Sequence, residues 1–302
     1  MTSWPSSGAM PSSAAAPEAR PGPVGAGCVY LAFAAPREGG ATVLTRRYAA
    51  HPLAVQRPVY GDPALPGQPK VHILNQGGGV LAGDALRIEV EVGPGATARI
   101  GGVGATRLHP TPGGQSRQGV ALRLGAGARL EWLPDPVIPF AGSATSQAVE
   151  VSLGPGALWI GCDILAAGRE ARGERFAYTS LGQSLQVREQ GSDRLLVAEA
   201  LCVEPSRRAP DGPGVMAGHS VVGTLRVVTR AVPSAAVAAA LRGAVESAAG
   251  TDVYAGATAL AVGATVRALG PAIQPVARTL HAAWDAVRRL CMGVPAPEPR
   301  RY

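Results

Sequence analysis

The chain has 302 residues, 46% of them apolar and 16% charged, with a formal net charge of +7 at pH 7. That length carries one large domain or two ordinary ones, and every apolar stretch is broken by Arg, Glu or Pro short of the roughly 18–20 residues of a membrane helix. Its excess positive charge is arginine scattered singly or in pairs, as at Arg46–Arg47 and Arg207–Arg208, with aromatics at only 4%; this excludes the aromatic-interleaved basic stripe of a nucleic-acid surface and fits a basic face toward an acidic protein partner.

Residues 1–27 hold Ala, Pro, Ser and Gly without a basic or continuously apolar leader and are read as a disordered tail, not a signal peptide. Folded composition begins at Cys28, where CVYLAFA and ATVLTRRYA have strand character on either side of a PREGG turn. The next segment, HPLAVQRPVYGDPALPGQPK, has too many prolines for a helix and suits edge or irregular structure; VHIL (71–74) resumes as strand. Leu86, Ile88, Val90 and Val92 then alternate with Arg87, Glu89 and Glu91, the pattern of a half-buried strand. VALRL, ARLEWL, AVEVSL, ALWIGCDIL, SLQVRE and RLLVAEALCV repeat it.

Tight turns punctuate these strands: GPGA from Gly93, GAGA from Gly125 and GPGA from Gly154, at offsets of 32 and 29 residues. Glycine supplies the positive φ of a sharp reversal, and proline pre-sets the φ before it. A period near 30 flanked by strand pairs predicts stacked β layers, either a β-solenoid or an irregular sandwich. Helical spacing is confined to the last third. After the N-cap candidate Ser234, Val237, Leu241 and Val245 share a face up to Gly250, and from about Pro275 a second face carries Val276, Leu280, Trp284, Val287 and Leu290. Between them DVYAGATALAVGATVRALG reads as a strand pair turning around Gly256 and Gly263, and the closing MGVPAPEPRRY reads as an extended tail. No linker is visible within residues 28–302, which predicts one mainly β domain with two helices packed on it.

Chemistry is sparse in local spacing. Cys28, Cys162, Cys202 and Cys291 lie far apart and read as reduced, buried thiols of a cytoplasmic protein. GGGVLAGD (77–84) lacks the Lys and Ser/Thr of a phosphate loop and precedes a strand instead of a helix. Its glycines, Gly78, Gly79 and Gly83, read as tight-turn positions with Asp84 fixed beside them. His51, His72, His109, His219 and His281 are isolated, so no triad and no dedicated metal cage is written locally. More informative are carboxylates in apolar strands: Glu131 beside Trp132, Asp135 after Pro134, Asp163 after Cys162, and Glu174 after Gly173. Singly, each suits a salt bridge with a neighbouring arginine; with Asp84 they also suit an oxygen-lined path that a divalent cation visits weakly. An enzyme reading of the same residues is a hydrolase using two of Glu131, Asp135 and Glu174, and a third reading is a metal-free β-rich binding module.

The ordered blocks QRPVY, HILNQGGGVLAGD, VGPGA, GATRL, LEWLPDPVIPF, GREARGERF, VGTL, VYAGAT and the closing W-x-x-x-R…P-x-P-R together resemble the UreD (UreH) family of urease accessory proteins over residues 28–302. The resemblance implies a β-helical domain with two helices and a non-catalytic role in urease maturation. It implies binding to a UreF-like partner that recruits the nickel-carrying GTPase UreG, and docking of the assembly on apo-urease. It implies nickel in transit through an internal polar tunnel, with no tightly bound cofactor; Asp84, Glu131 and Glu174 match acidic positions of the family's motifs. Where the family has HPPGG this chain has NQGGG, and Ala166 replaces a cysteine common before the LGR segment, so a soft-ligand nickel store is not expected.

Overall fold

The computed structural model describes residues 26–35, 40–248 and 250–298. The expected disordered tail lies outside them, apart from its last two residues. The first four strands are β1 (Cys28–Ala34), β2 (Val43–Ala50), β3 (Leu53–Val55), inside the Pro-rich segment, and β4 (Lys70–Asn75). The chain then makes three similar coils, each a long strand, a GPGA or GAGA corner and a second strand. They are β5 (Ala85–Val92) with β6 (Thr97–Gly101), β8 (Ser116–Leu124) with β9 (Arg129–Leu133), and β11 (Ala144–Leu153) with β12 (Leu158–Ala166). Short strands β7 (Thr106–Leu108) and β10 (Val137–Pro139) lie between coils. After β12 come β13 (Ser180–Glu189), β14 (Leu195–Val203), β15 (Val221–Thr229), α1 (Ser234–Ala248), β16 (Tyr254–Ala259), β17 (Ala264–Gly270) and α2 (Ile273–Met292).

The coils stack in parallel, so their first strands build one sheet, β14-β13-β11-β8-β5-β1-β2, and their second strands build another, β16-β17-β15-β12-β9-β6-β4-β3. The sequence period near 30 is the coil repeat. Its corners are bonded to one another: Gly95 N–H donates to Ala126 O, and Gly127 N–H to Pro155 O, 2.9 and 2.8 Å. Gly95, Gly127 and Gly156 take φ of +67°, +64° and +67°, and Ala96, Ala128 and Ala157 after them are buried. The glycine that opens each corner is there for a different reason, close approach. A Cβ at Gly154 would lie 2.7 Å from Gly125 C and 2.8 Å from Ala126 N, both backbone atoms that cannot swing away. We therefore expect Gly154→Ala to destabilise the fold by about 1–3 kcal/mol, read as a fall in the urea midpoint at unchanged slope.

Two apolar cores result. One lies between the sheets and holds Leu31, Val90, Leu122, Val151 and Val187; the other lies between the second sheet and the helices and holds Ile160, Leu225, Leu241, Val276 and Val287. β15 escaped the alternation reading because it places apolar residues on both sides, with Val228 in the first core and Leu225 and Val227 in the second. Gly256 lies inside β16, and the reversal is made at Gly263, φ +86°. Ser234 does start α1, but its hydroxyl accepts the Gly263 amide at 2.8 Å, tying helix to turn. On α2 the buried stripe includes Arg288 while Leu290 is exposed, which corrects the expected helix face. The tail after Gly293 doubles back instead of extending: Ala296 N–H donates to Asp285 Oδ1 at 2.7 Å, and Pro297 O meets His281 Nε2 at 2.9 Å. Cys28, Cys162 and Cys291 are half-buried and Cys202 is exposed, so the expectation of fully buried thiols is not met. No helix among the described residues is long and apolar enough to cross a membrane.

Candidate functional site

Between the sheets the interior changes character along the strands. In register, Val90, Leu122, Val151 and Val187 form an apolar row across β5, β8, β11 and β13. Four residues earlier the row is Leu86, Gln118, Gln147 and Gln183. The three glutamines point inward and bond in series, Gln183 Nε2 to Gln147 Oε1 at 2.9 Å and Gln147 Nε2 to Gln118 Oε1 at 2.8 Å. Chained amides satisfy one another and still offer lone pairs to whatever lies beside them. The sheets do not close over this row. A cavity of about 560 Å³ lies against all three glutamines, and a second of about 260 Å³ lies against Gln118 alone. Both linings include Thr106, Gln118, Trp132, Pro134 and Asp135; these five residues stand between the two cavities, as the neck of the hollow. The small cavity is also lined by the exposed Gly78 and Val103, and the large one by the exposed Leu201 and Val215. The buried Trp159 Nε1 lines the large cavity without a hydrogen-bond partner among the described residues, a donor that suits a wet chamber.

Two of the five expected carboxylates line this hollow. Asp135 stands in the neck, packed so close to Gly102 that a Cβ there would lie 2.5 Å from its Oδ2. Asp163 lies in the large chamber, bonded to Arg226. The other three are elsewhere. Asp84, buried at the end of the GGGVLAGD turn, accepts the Leu81 amide at 2.8 Å and so braces its own loop. In that loop Gly78, Gly79 and Gly83 have φ of +78°, +150° and +81°, as the turn reading requires. Trp132 walls both cavities, and Gly173, φ +74°, ends the short 3-10 turn at Glu170–Arg172.

Glu174 is a corner clamp. Its carboxylate accepts Arg169 Nε at 2.8 Å, Arg169 Nη2 at 2.5 Å and the Ala141 amide at 3.1 Å, while Arg169 stacks on Phe140, 3.7 Å from the ring centroid. The Arg169 bonds, then the Ala141 amide, hold Glu174 below the ordinary 4.5. A lowered carboxyl value stabilises the fold above the unfolded value and loses that contribution as pH falls through the folded one. Melting curves of Glu174→Gln and wild type should therefore differ at pH 7 and converge as pH falls below 4.5; a gap unchanged at acid pH would remove the clamp.

Glu131 points to the opposite face of the second sheet, under α2, outside both cavities. There it accepts Trp284 Nε1 at 3.1 Å and pairs with Arg288 Nε at 3.4 Å. Asp62 pairs with Arg288 at 2.8 Å and Arg99 at 3.3 Å, and all four charged groups are buried. Burial pushes the Glu131 carboxyl up against the opposing pull of Arg288, Arg99 and Trp284. The cluster joins a loop, two strands and a helix and has the character of a structural lock. Glu131, Asp135 and Glu174 thus lie at three separate places, so the pair a hydrolase requires is not assembled. No group of three or more His, Cys, Asp or Glu able to hold a metal occurs among the described residues.

What the hollow offers is a neutral amide row, one carboxylate in the neck and a compensated charge cluster beyond it. Such oxygens bind a divalent cation weakly and exchangeably. Sequence reasoning missed the glutamines, although Gln118 and Gln147 are 29 residues apart, the spacing of their corners at Gly125 and Gly154.

The family model described as UreD urease accessory protein matches residues 26–302. The chain is 39% identical over 284 residues to urease accessory protein UreD 2 of Streptomyces griseus, covering 92% of this chain and 94% of that one. It is 35% identical over 291 residues to urease accessory protein UreD of Haloarcula marismortui, covering 95% of each, and 33% identical over 263 residues to the protein of that name from Nitrosospira multiformis, covering 87% and 92%.

Proposed function

We propose, from the premise that this chain belongs to the UreD urease accessory protein family, that it serves urease maturation as a non-catalytic scaffold conducting nickel between its two sheets. The observation that carries this reading is a pair of cavities that share Asp135, Thr106, Gln118 and Trp132 in their linings, each also lined by exposed residues. Nickel is cargo here. Transit requires ligands favourable enough to admit a cation and weak enough to release it, and amide oxygens with single carboxylates meet that condition. In this reading Asp135 and Asp163, which line the large cavity, are the expected carboxylates that touch it; Asp84 braces its loop, Glu174 clamps its corner and Glu131 anchors α2.

In this reading the scaffold works within an assembly, binding a UreF-like partner, a nickel-bearing UreG-like GTPase and apo-urease. The supporting experiment is activation of apo-urease by the cognate accessory set. Omitting this chain is expected to abolish nickel-dependent activation, and full activation without it would overturn the proposal. A metal-free binding module would instead tolerate any obstruction of the hollow that leaves complex formation intact.

A further inference from the structure

Arg226 occupies the most acidic part of the large chamber. It comes from β15 and reaches Asp163 on neighbouring β12 and Glu199 on β14, a strand of the opposite sheet. Its Nε and Nη2 donate to Glu199 Oε2 at 2.9 and 2.6 Å, its Nη1 donates to Asp163 Oδ1, and Arg267 Nη2 lies 3.6 Å from the same Glu199 oxygen. All four side chains line the cavity, together with Thr224 and Gln183. Burial alone would weaken the charge on Arg226, but the two carboxylates outweigh it and hold the guanidinium above its ordinary value. A guanidinium stays charged throughout the pH range in which proteins fold.

Elsewhere the two sheets meet through apolar side chains that need no ion pair, as where Val90 and Leu122 of one share a core with Ile100 and Leu130 of the other. An ion pair that bridges the sheets at a cavity wall is therefore not required for packing. Without Arg226, Asp163 and Glu199 would face one another across a wet space beside a hydroxyl and an amide. That is a hard-oxygen site with two carboxylates, of which only Glu199 keeps a cation nearby, the largely exposed Arg267 at 3.6 Å. With Arg226 present those oxygens are already engaged by a cation that cannot leave.

We propose that Arg226 is a resident counter-cation that keeps Asp163 and Glu199 from retaining a divalent metal, so that the chamber passes nickel on instead of storing it. This rests on the passage reading above, and its test is separable from it because it reads metal bound to the isolated chain, without urease.

The test is calorimetric titration of Ni²⁺ into the purified full-length chain, with circular dichroism confirming the fold of each variant. Wild type is expected to show no stoichiometric site at the chamber. Arg226→Met is expected to gain one site per chain, at least roughly tenfold tighter than any binding by wild type, the change a difference of about 1.4 kcal/mol would produce. The triple variant Arg226→Met, Asp163→Asn, Glu199→Gln is expected to lose it. Arg226→Lys, which keeps the charge, is expected to resemble wild type. If Arg226→Met does not fold, Arg226→Gln retains a hydrogen-bonding strut and carries the same expectation. A folded variant without Arg226 that binds nickel no tighter than wild type would overturn the proposal, as would a tight site in wild type that Asp163→Asn removes. Blocked chambers that leave urease activation intact would count against the passage and not against this result.

Discussion

Apo-urease activated in the presence of a Gln118→Phe chain is expected to recover little nickel, although the accessory assembly still forms. Gln118 sits in the neck shared by both cavities, on the central strand β8, with its amide bonded to Gln147. A phenyl ring fills that neck and replaces oxygen ligands with carbon. It takes away both the space and the lone pairs on which a partly hydrated cation depends. A rise of about 3 kcal/mol in the passage barrier slows transfer roughly a hundredfold. Gln118→Leu separates the two contributions, because it removes the amide with little added bulk, and should fall between wild type and Gln118→Phe. Nickel per urease by elemental analysis, together with co-purification of the partners, makes the measurement. Normal nickel content with Gln118→Phe in a verified, intact assembly would remove the neck from the route.

The second large effect is expected at Arg288. Its side chain is fully buried and lies against both Asp62 and Glu131, with Trp284 stacked 5.3 Å from its guanidinium carbon. Arg288→Met removes the cation and leaves two buried carboxylates, Asp62 with Arg99 and Glu131 with the Trp284 indole N–H. Breaking one side of a buried ionic cluster costs about 3–5 kcal/mol, because the negative charge left behind is unsolvated and no longer balanced. Urea unfolding should show that loss. The triple variant Arg288→Met, Glu131→Gln, Asp62→Asn should recover part of it, since the uncompensated charges leave with the arginine. Destabilisation below about 1 kcal/mol, the usual value for an exposed pair, would mean that the cluster does not lock α2 to the sheet. Its interest is functional as well. α2 covers the outer face of the sheet whose inner face lines the hollow, so a loosened helix should lower activation through stability and leave the neck itself untouched.

How much of this was legible in the sequence depends on whether the signal was local. The corners at Gly93, Gly125 and Gly154 repeat in the chain because they repeat in space, and the alternation of β5 and β8 reports one buried and one outward face. β15 gave no alternation because it places apolar residues on both faces. The site was less visible for the opposite reason. Asp62, Arg99, Glu131 and the α2 pair Trp284 and Arg288 converge from four distant stretches of the chain, and the apolar stripe read on that helix passes Arg288 by. Glu131 stands out in the sequence as a carboxylate within an apolar strand, but whether a residue of β9 faces the hollow or α2 is fixed by its neighbours, Leu130 and Trp132, which point between the sheets. The glutamines carry no charge and attract no motif. Only their register across three stacked strands, known once the coils are superposed, turns them into a row.

The most direct test of conduction between the sheets is a reversible plug. In a Cys162→Ser, Cys202→Ser background, which removes the native thiol that lines the large cavity and the exposed one, Gln147→Cys places a thiol on the chamber wall, where a methanethiosulfonate reagent can narrow the passage and a reductant can clear it again. Mass spectrometry reports the extent of modification, and nickel delivered to apo-urease reports conduction. The expected result is activation before modification, loss of delivery on full modification and its return on reduction, with the partners bound throughout. Delivery that continues unchanged when the thiol of the Gln147→Cys chain is fully modified would contradict the account.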